Sequence, residues 1–126
     1  MPLVRIDLME GKSKEHRRQI GQVVYEALEA MGVPKDDRFQ VISEHTRDNF
    51  IFAPSYLGIE HTDDLVMIQI SLNAGRTVAQ KQTLYKTIAD RLHDTLGLRR
   101  QDVVINLIEV AKENWSFGDG IAPYAT

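Results

Sequence analysis

The chain contains no cysteine, which excludes disulfides, thiol nucleophiles and thiolate metal sites and leaves the redox compartment open. No apolar run approaches membrane-spanning length. Charge of one sign is also lacking: 15 Lys and Arg stand against 18 Asp and Glu, a net charge of -3. That balance favours neither nucleic acid nor an anionic membrane surface. The four histidines, His16, His45, His61 and His93, share no ligand spacing, so local hydrogen bonding is expected of them rather than metal binding. Linkers and low-complexity stretches are absent. The amino terminus opens straight into a strand pattern, which predicts no secretion signal and a cytoplasmic protein.

What is there suits one compact domain spanning residues 1–126, with 43% hydrophobic and 26% charged residues. Residues 3–8 alternate, with Val4, Ile6 and Leu8 on one side and Arg5 and Asp7 on the other, as in a strand with one buried face. Ser13 can cap a helix whose apolar stripe is Ile20, Val23, Val24, Ala27, Leu28 and Met31; Gly32 ends it and Pro34 follows. Residues 38–43 read as a second strand.

The same pattern returns about 64 residues later. Residues 66–72 form a strand. Gly75-Arg76-Thr77 repeats Gly11-Lys12-Ser13, and Thr77 with Gln80 makes a capping box. Leu84, Ile88 and Leu92 repeat Ile20, Val24 and Leu28, while Gly97 repeats Gly32, Asp102 repeats Asp37 and Glu109 falls on Glu44. The chain therefore carries an internal repeat, residues 2–44 and 66–110, of a β-α-β unit. The expected fold class is α+β: a four-stranded mixed sheet with both helices on one face. The other face, with Leu3, Arg5, Asp7, Met67, Gln69 and Ser71, is too apolar for open solvent and too polar for a core. A homo-oligomer is expected to cover it.

Between the repeats, Phe50-Ile51-Phe52 reads as a short strand, and Pro54, Gly58 and Asp63-Asp64 mark turns. The tail carries the only tryptophan in Asn114-Trp115-Ser116-Phe117-Gly118. A loop with large aromatics is a lid over a pocket, a plug for a neighbouring subunit, or both.

Pro2 stands at the mouth of the first strand. It can simply start the strand, where its missing N–H costs nothing. With Met1 removed, its nitrogen becomes a secondary amine able to take or give a proton or attack a carbonyl.

Pro2-Leu3, the duplicated unit, Gly32-Val33-Pro34 to Asp37-Arg38-Phe39-Gln40, Gly75-Arg76-Thr77 and Trp115-Ser116-Phe117-Gly118 resemble the tautomerase superfamily, closest to its malonate semialdehyde decarboxylase-like branch. The resemblance implies a tautomerase/macrophage migration inhibitory factor-like fold, a homotrimer, no metal or organic cofactor, and a mature chain beginning at Pro2. It also implies that Pro2 works with Asp37 and with arginines near the start of the second helix. Only Arg76 stands there, where the decarboxylase branch has two; the other falls near Leu72 or Asn73.

On this resemblance, Arg76 would hold the carboxylate of a small 2-oxo or enol acid and favour neutral Pro2 as general base and acid. Asp37 would favour cationic Pro2 and position water, as in a hydratase or decarboxylase of a three-carbon acid. Trp115 and Phe117 would line an apolar pocket and bind substrate. Asp37 can equally be architectural, since Asp102 repeats it, and Arg76 can be a solvated helix-start cation like Lys12. Arg38 either reaches the site or pairs with Asp36 or solvent. A non-catalytic trimeric binding protein is the remaining reading.

Overall fold

The computed structural model describes residues 2–124, and its elements follow the alternation of the sequence closely. In chain order they are β1 (Leu3–Met9), α1 (Lys14–Ala30), β2 (Phe39–His45), β3 (Ser55–Tyr56), β4 (Ile59–Glu60), β5 (Val66–Asn73), α2 (Val78–Leu96) and β6 (Val103–Val110). Short 3-10 turns at Arg47–Asn49 and Arg100–Asp102 fill two of the connections, and a third at Lys112–Asn114 opens the tail after β6.

The four long strands form one sheet in the order β2-β1-β5-β6. Each helix crosses between parallel neighbours, β1 with β2 and β5 with β6, whereas β1 and β5 run antiparallel in the middle. The central register has internal symmetry: Leu3 faces Ser71, and Met67, the counterpart of Leu3 in the second unit, faces Asp7. The edges follow the same rule, with Leu3 beside Phe39 and Met67 beside Val104. The two units are thus related by a pseudo-two-fold axis through the sheet.

Both helices start and stop where side-chain chemistry dictates. The Ser13 hydroxyl accepts from the His16 amide at 3.0 Å, and Thr77 with Gln80 forms the full capping box. α2 ends at Gly97 in the left-handed region (φ 67), which relieves the last carbonyls without a Cβ clash. Val4, Ile6 and Leu8 of β1 and Val66, Ile68, Ile70 and Leu72 of β5 meet Ile20, Val24 and Leu28 of α1 and Leu84, Ile88 and Leu92 of α2 in one buried layer. Each such side chain contributes about 1.5–3 kcal/mol through the apolar surface it removes from water.

Among the described residues no element covers the opposite sheet face. Leu3, Phe39, Val41, Val104 and Ile108 lie on it between 38% and 46% exposed, among Arg5, Gln69 and Asn106. Asp7 and His45 pair there at 2.7 Å.

The connection between the units departs from the expected pattern. Phe50-Ile51-Phe52 is not a strand. Phe50 is buried, stacked on His45 (5.7 Å) and edge-on to Phe52 (5.9 Å), so side-chain packing rather than a ladder holds it. The extended pairing comes just after, as a hairpin of β3 and β4 whose tip, Leu57-Gly58, has positive φ at both residues (51 and 79).

Candidate active site

The antiparallel middle of the sheet decides which groups can meet. Because Leu3 faces Ser71, the amino end of β1 lies beside the carboxyl end of β5. Pro2, one residue earlier, is buried at that edge. The turn that follows β5 starts α2 and carries Arg76.

This turn is built from several bonds. Gly75 adopts φ 123, a backbone state that a side chain strains, and its amide donates to Glu109 Oε2 at 3.3 Å. Glu109 Oε1 accepts from Lys81 on the first turn of α2 at 2.6 Å. Lys81, with the Gly75 amide second, holds the Glu109 carboxyl below the usual carboxylate range. Ala74 donates its amide to the Val110 carbonyl at 2.9 Å. The Arg76 guanidinium folds back, donating from Nη1 to the Asn73 carbonyl at 2.8 Å, and is half-buried. Among the described residues Arg76 forms no ion pair.

The tail after β6 reaches the same place. Trp115 donates its indole Nε1–H to Asn73 Oδ1 at 2.6 Å. Its ring stacks on Phe117 at 5.4 Å, and Phe117 packs against Phe39 at 5.7 Å and Tyr124 at 6.1 Å. Beside these rings is a cavity of about 620 Å³ lined by Asp37, Phe39, Phe117, Ile121 and Tyr124 among others. Asp37 is buried on its wall, ahead of β2 and after Asp36, which sits at φ 67.

The anticipated residues therefore fall into two linked groups. Asp37 and Phe117 share the cavity; Arg76 and Trp115 share Asn73; the Trp115–Phe117 stack joins them. Pro2, Arg76 and Trp115 lie outside the cavity lining itself. Pro2 connects through Leu3, whose register neighbour is Phe39. Met1 lies outside the described residues.

Four other expectations are resolved by specific bonds. Arg38 pairs with neither Asp36 nor solvent alone: it donates to Gln22 and Gln40 and lies over the Tyr25 ring at 4.7 Å. Lys12, the counterpart of Arg76, is partly exposed to solvent and also pairs with Asp64 at 2.5 Å. Asp102 is fully buried and accepts from the Thr62 amide at 2.7 Å and hydroxyl at 2.5 Å, so it fastens the inter-unit loop. The histidines make local bonds, His61 to the Ala53 carbonyl and His93 to that of Leu98.

The sequence marks Asn73 only as a place where the branch's second arginine would fall; its bond to Trp115 is not legible there. Extending the repeat a few residues further would have drawn attention to it, because Phe50 and Phe52 fall on Trp115 and Phe117. The structure keeps that correspondence: a second cavity, about 420 Å³, is lined by Phe52, Tyr56, Arg100, Gln101 and Val104 at positions that repeat those of the first.

Comparison with known proteins agrees with this architecture. Two models described as tautomerase enzyme match residues 37–118 and 2–59. The probable tautomerase YusQ of Bacillus subtilis strain 168 is 41% identical over 97% of this chain and 97% of its own length. The probable tautomerase YrdN of the same organism is 32% identical over 100% of this chain and 98% of its own. A crystal structure of FG41 malonate semialdehyde decarboxylase inhibited by 3-bromopropiolate superposes with TM-score 0.90 at 37% identity, over 97% of this chain and 93% of that one. A fused 4-OT symmetric trimer shares the fold, with TM-score 0.77 at 21% identity, over 95% of this chain and 94% of that one. With Pro2 at the mouth of a central strand, a single arginine turn and an aromatic tail arranged as described, the chain belongs to the tautomerase family of enzymes, in its malonate semialdehyde decarboxylase-like branch.

Proposed function

We propose that Pro2, released by removal of Met1, is the general base and acid of a cofactor-independent tautomerase acting on small 2-oxo and enol carboxylates. The observation that carries this reading is the Leu3–Ser71 register, which sets the Pro2 end of β1 against the turn bearing Arg76. Arg76 grips the substrate carboxylate, since a guanidinium offers a planar pair of donors and this one has no carboxylate partner among the described residues. The neutral amine takes the enol proton from oxygen and returns it to carbon. The nearby cation and burial both disfavour protonated Pro2 and keep it in that state. Trp115 and Phe117 exclude water and strengthen the electrostatics of the site.

The exposed apolar sheet face supports a homotrimer, in which each copy would cover Phe39, Val41, Val104 and Ile108 of another. The likeness to a decarboxylase and the burial of Asp37 on the cavity wall support a second reading. In it Asp37 stabilises cationic Pro2, and the reaction is hydration or decarboxylation of a three-carbon acid such as malonate semialdehyde.

The deciding experiment measures ketonisation of phenylenolpyruvate by the mature protein and by Pro2→Ala, with intact mass to establish the first residue. Loss of activity in Pro2→Ala is expected. Equal activity in the two proteins would rule the amine out. Turnover of malonate semialdehyde without ketonisation would select the second reading.

A further inference from the structure

Asn73 touches both polar groups of the site region at once. Its side-chain oxygen accepts from the Trp115 indole at 2.6 Å, and its backbone carbonyl accepts from Arg76 at 2.8 Å. We propose that Asn73 is a positioning residue: its side chain latches the aromatic tail over the site, beside the backbone carbonyl of the same residue that holds the Arg76 guanidinium. The latch stands on geometry alone; its effect on turnover rests on the Pro2–Arg76 reading above.

The duplication supplies an internal control. In the first unit, Met9 takes the place of Asn73 and Phe50 that of Trp115, and both line one shallow cavity. Neither side chain can form the equivalent hydrogen bond. The fold therefore needs only an apolar contact at this point. The polar link occurs solely in the unit whose aromatic segment faces the end of β1 that carries Pro2. A bond required by architecture would appear in both halves.

The latch also couples two elements that are otherwise remote in sequence. Asn73 closes β5, and Trp115 opens the tail that carries Phe117 to the cavity wall. Breaking the bond frees the indole, loosens its stack on Phe117 and removes the roof from the region above Arg76. Substrate capture should suffer more than the proton transfer itself.

Trp115 is the sole tryptophan, so its fluorescence reports the latch directly. The test compares wild type, Asn73→Leu, Asn73→Asp, Trp115→Phe and the Asn73→Leu/Trp115→Phe double variant, with Met9→Leu as the twin-half control. Asn73→Leu should red-shift the emission and raise acrylamide quenching about twofold, and its kcat/KM on phenylenolpyruvate should fall about tenfold, mostly through KM, the order seen when a positioning bond is lost. Trp115→Phe should lose a similar amount, and the double variant no more than either single one. Asn73→Asp keeps an acceptor, so it should hold wild-type emission. Met9→Leu should change none of these readings. Wild-type emission and quenching in Asn73→Leu, or losses that multiply in the double variant, would overturn the proposal. If the wild type turns over no phenylenolpyruvate, the functional reading fails, and the emission and quenching of Asn73→Leu still decide the latch.

Discussion

Asp37 and Asp102 stand at the same point of the two units, yet Asp102 is bonded to Thr62 of a distant loop while Asp37 lies on a cavity wall. In the proposed function this one position of the repeat has two uses. Asp102→Asn should therefore be mainly a stability variant, costing about 2–4 kcal/mol because a buried carboxylate loses charge-assisted bonds to Thr62. Asp37→Asn should show a smaller loss of stability and a larger loss of activity. Urea unfolding and steady-state kinetics on both variants check the contrast, and the reverse order would show that Asp37 is the structural one.

Arg76→Lys should not behave as a conservative change. An ammonium cannot reproduce two parallel donors, and its lone charge would be set differently above Asn73. A rise in KM of about tenfold is expected for Arg76→Lys and about a hundredfold for Arg76→Ala, the scale of one to two charge-assisted bonds. An unchanged KM in Arg76→Ala would move carboxylate binding elsewhere.

The pH–rate profile separates the two chemistries. In the proposed tautomerase burial and Arg76 favour neutral Pro2, whereas in the second reading Asp37 favours the cation. Ketonisation should rise with pH as Pro2 loses its proton and then level off. Hydration or decarboxylation through cationic Pro2 should fall over the same interval. The profile of kcat/KM with phenylenolpyruvate and with malonate semialdehyde distinguishes them.

Acid should destabilise the fold in two stages. His16 is lowered, first by burial and then by Lys12, so the native state resists its protonation and stability drops as pH falls below the ordinary histidine value. Four carboxylates are also held low: Glu26 by Gln22 and Arg91, Asp63 by Arg47, Asp90 by Lys86 and Arg100, and Glu109 by Lys81 and Gly75. Their contribution is complete above the unfolded carboxylate range of about 4 and disappears as pH falls through the lower folded values. Thermal melts between neutral and acidic pH should show a falling Tm, with the upper part of the slope missing in His16→Gln. A flat profile would contradict the assignment.

The uncovered sheet face predicts an assembly defect. Val41→Glu or Ile108→Glu places a charge among Leu3, Phe39 and Val104 without touching the core. Light scattering should show wild type as a trimer and the variants as smaller species with near-native circular dichroism. A monomeric wild type would remove the homotrimer from the functional picture.

Periodicity made most of this architecture readable. Alternation at Val4, Ile6 and Leu8, the stripe of Ile20, Val24 and Leu28, and the capping pair Thr77 and Gln80 are local signals whose physics is complete within a few residues. The repeat then implied the pairing of whole units. What stayed hidden depended on bonds between distant positions. Nothing local in Asn73 shows that it will face Trp115, and nothing in Lys12 shows that Asp64 will neutralise it. Phe50-Ile51-Phe52 misled for a related reason: its apolar character suits a strand, but burial against His45 takes the place of a ladder.

The pseudo-two-fold axis gives the chain a second possible beginning. Val66 occupies in the second unit the place that Pro2 has in the first, at the mouth of a central strand beside a repeated cavity. A circular permutant opened just before Val66, with Val66→Pro as its first residue, would carry its terminal amine at the opposite end of the sheet. There the amine would meet Lys12 already paired with Asp64, and Asp102 already tied to Thr62. Such a chain would ask whether a catalytic site follows from any terminus placed on this scaffold, or only from one placed beside an arginine turn and an aromatic tail.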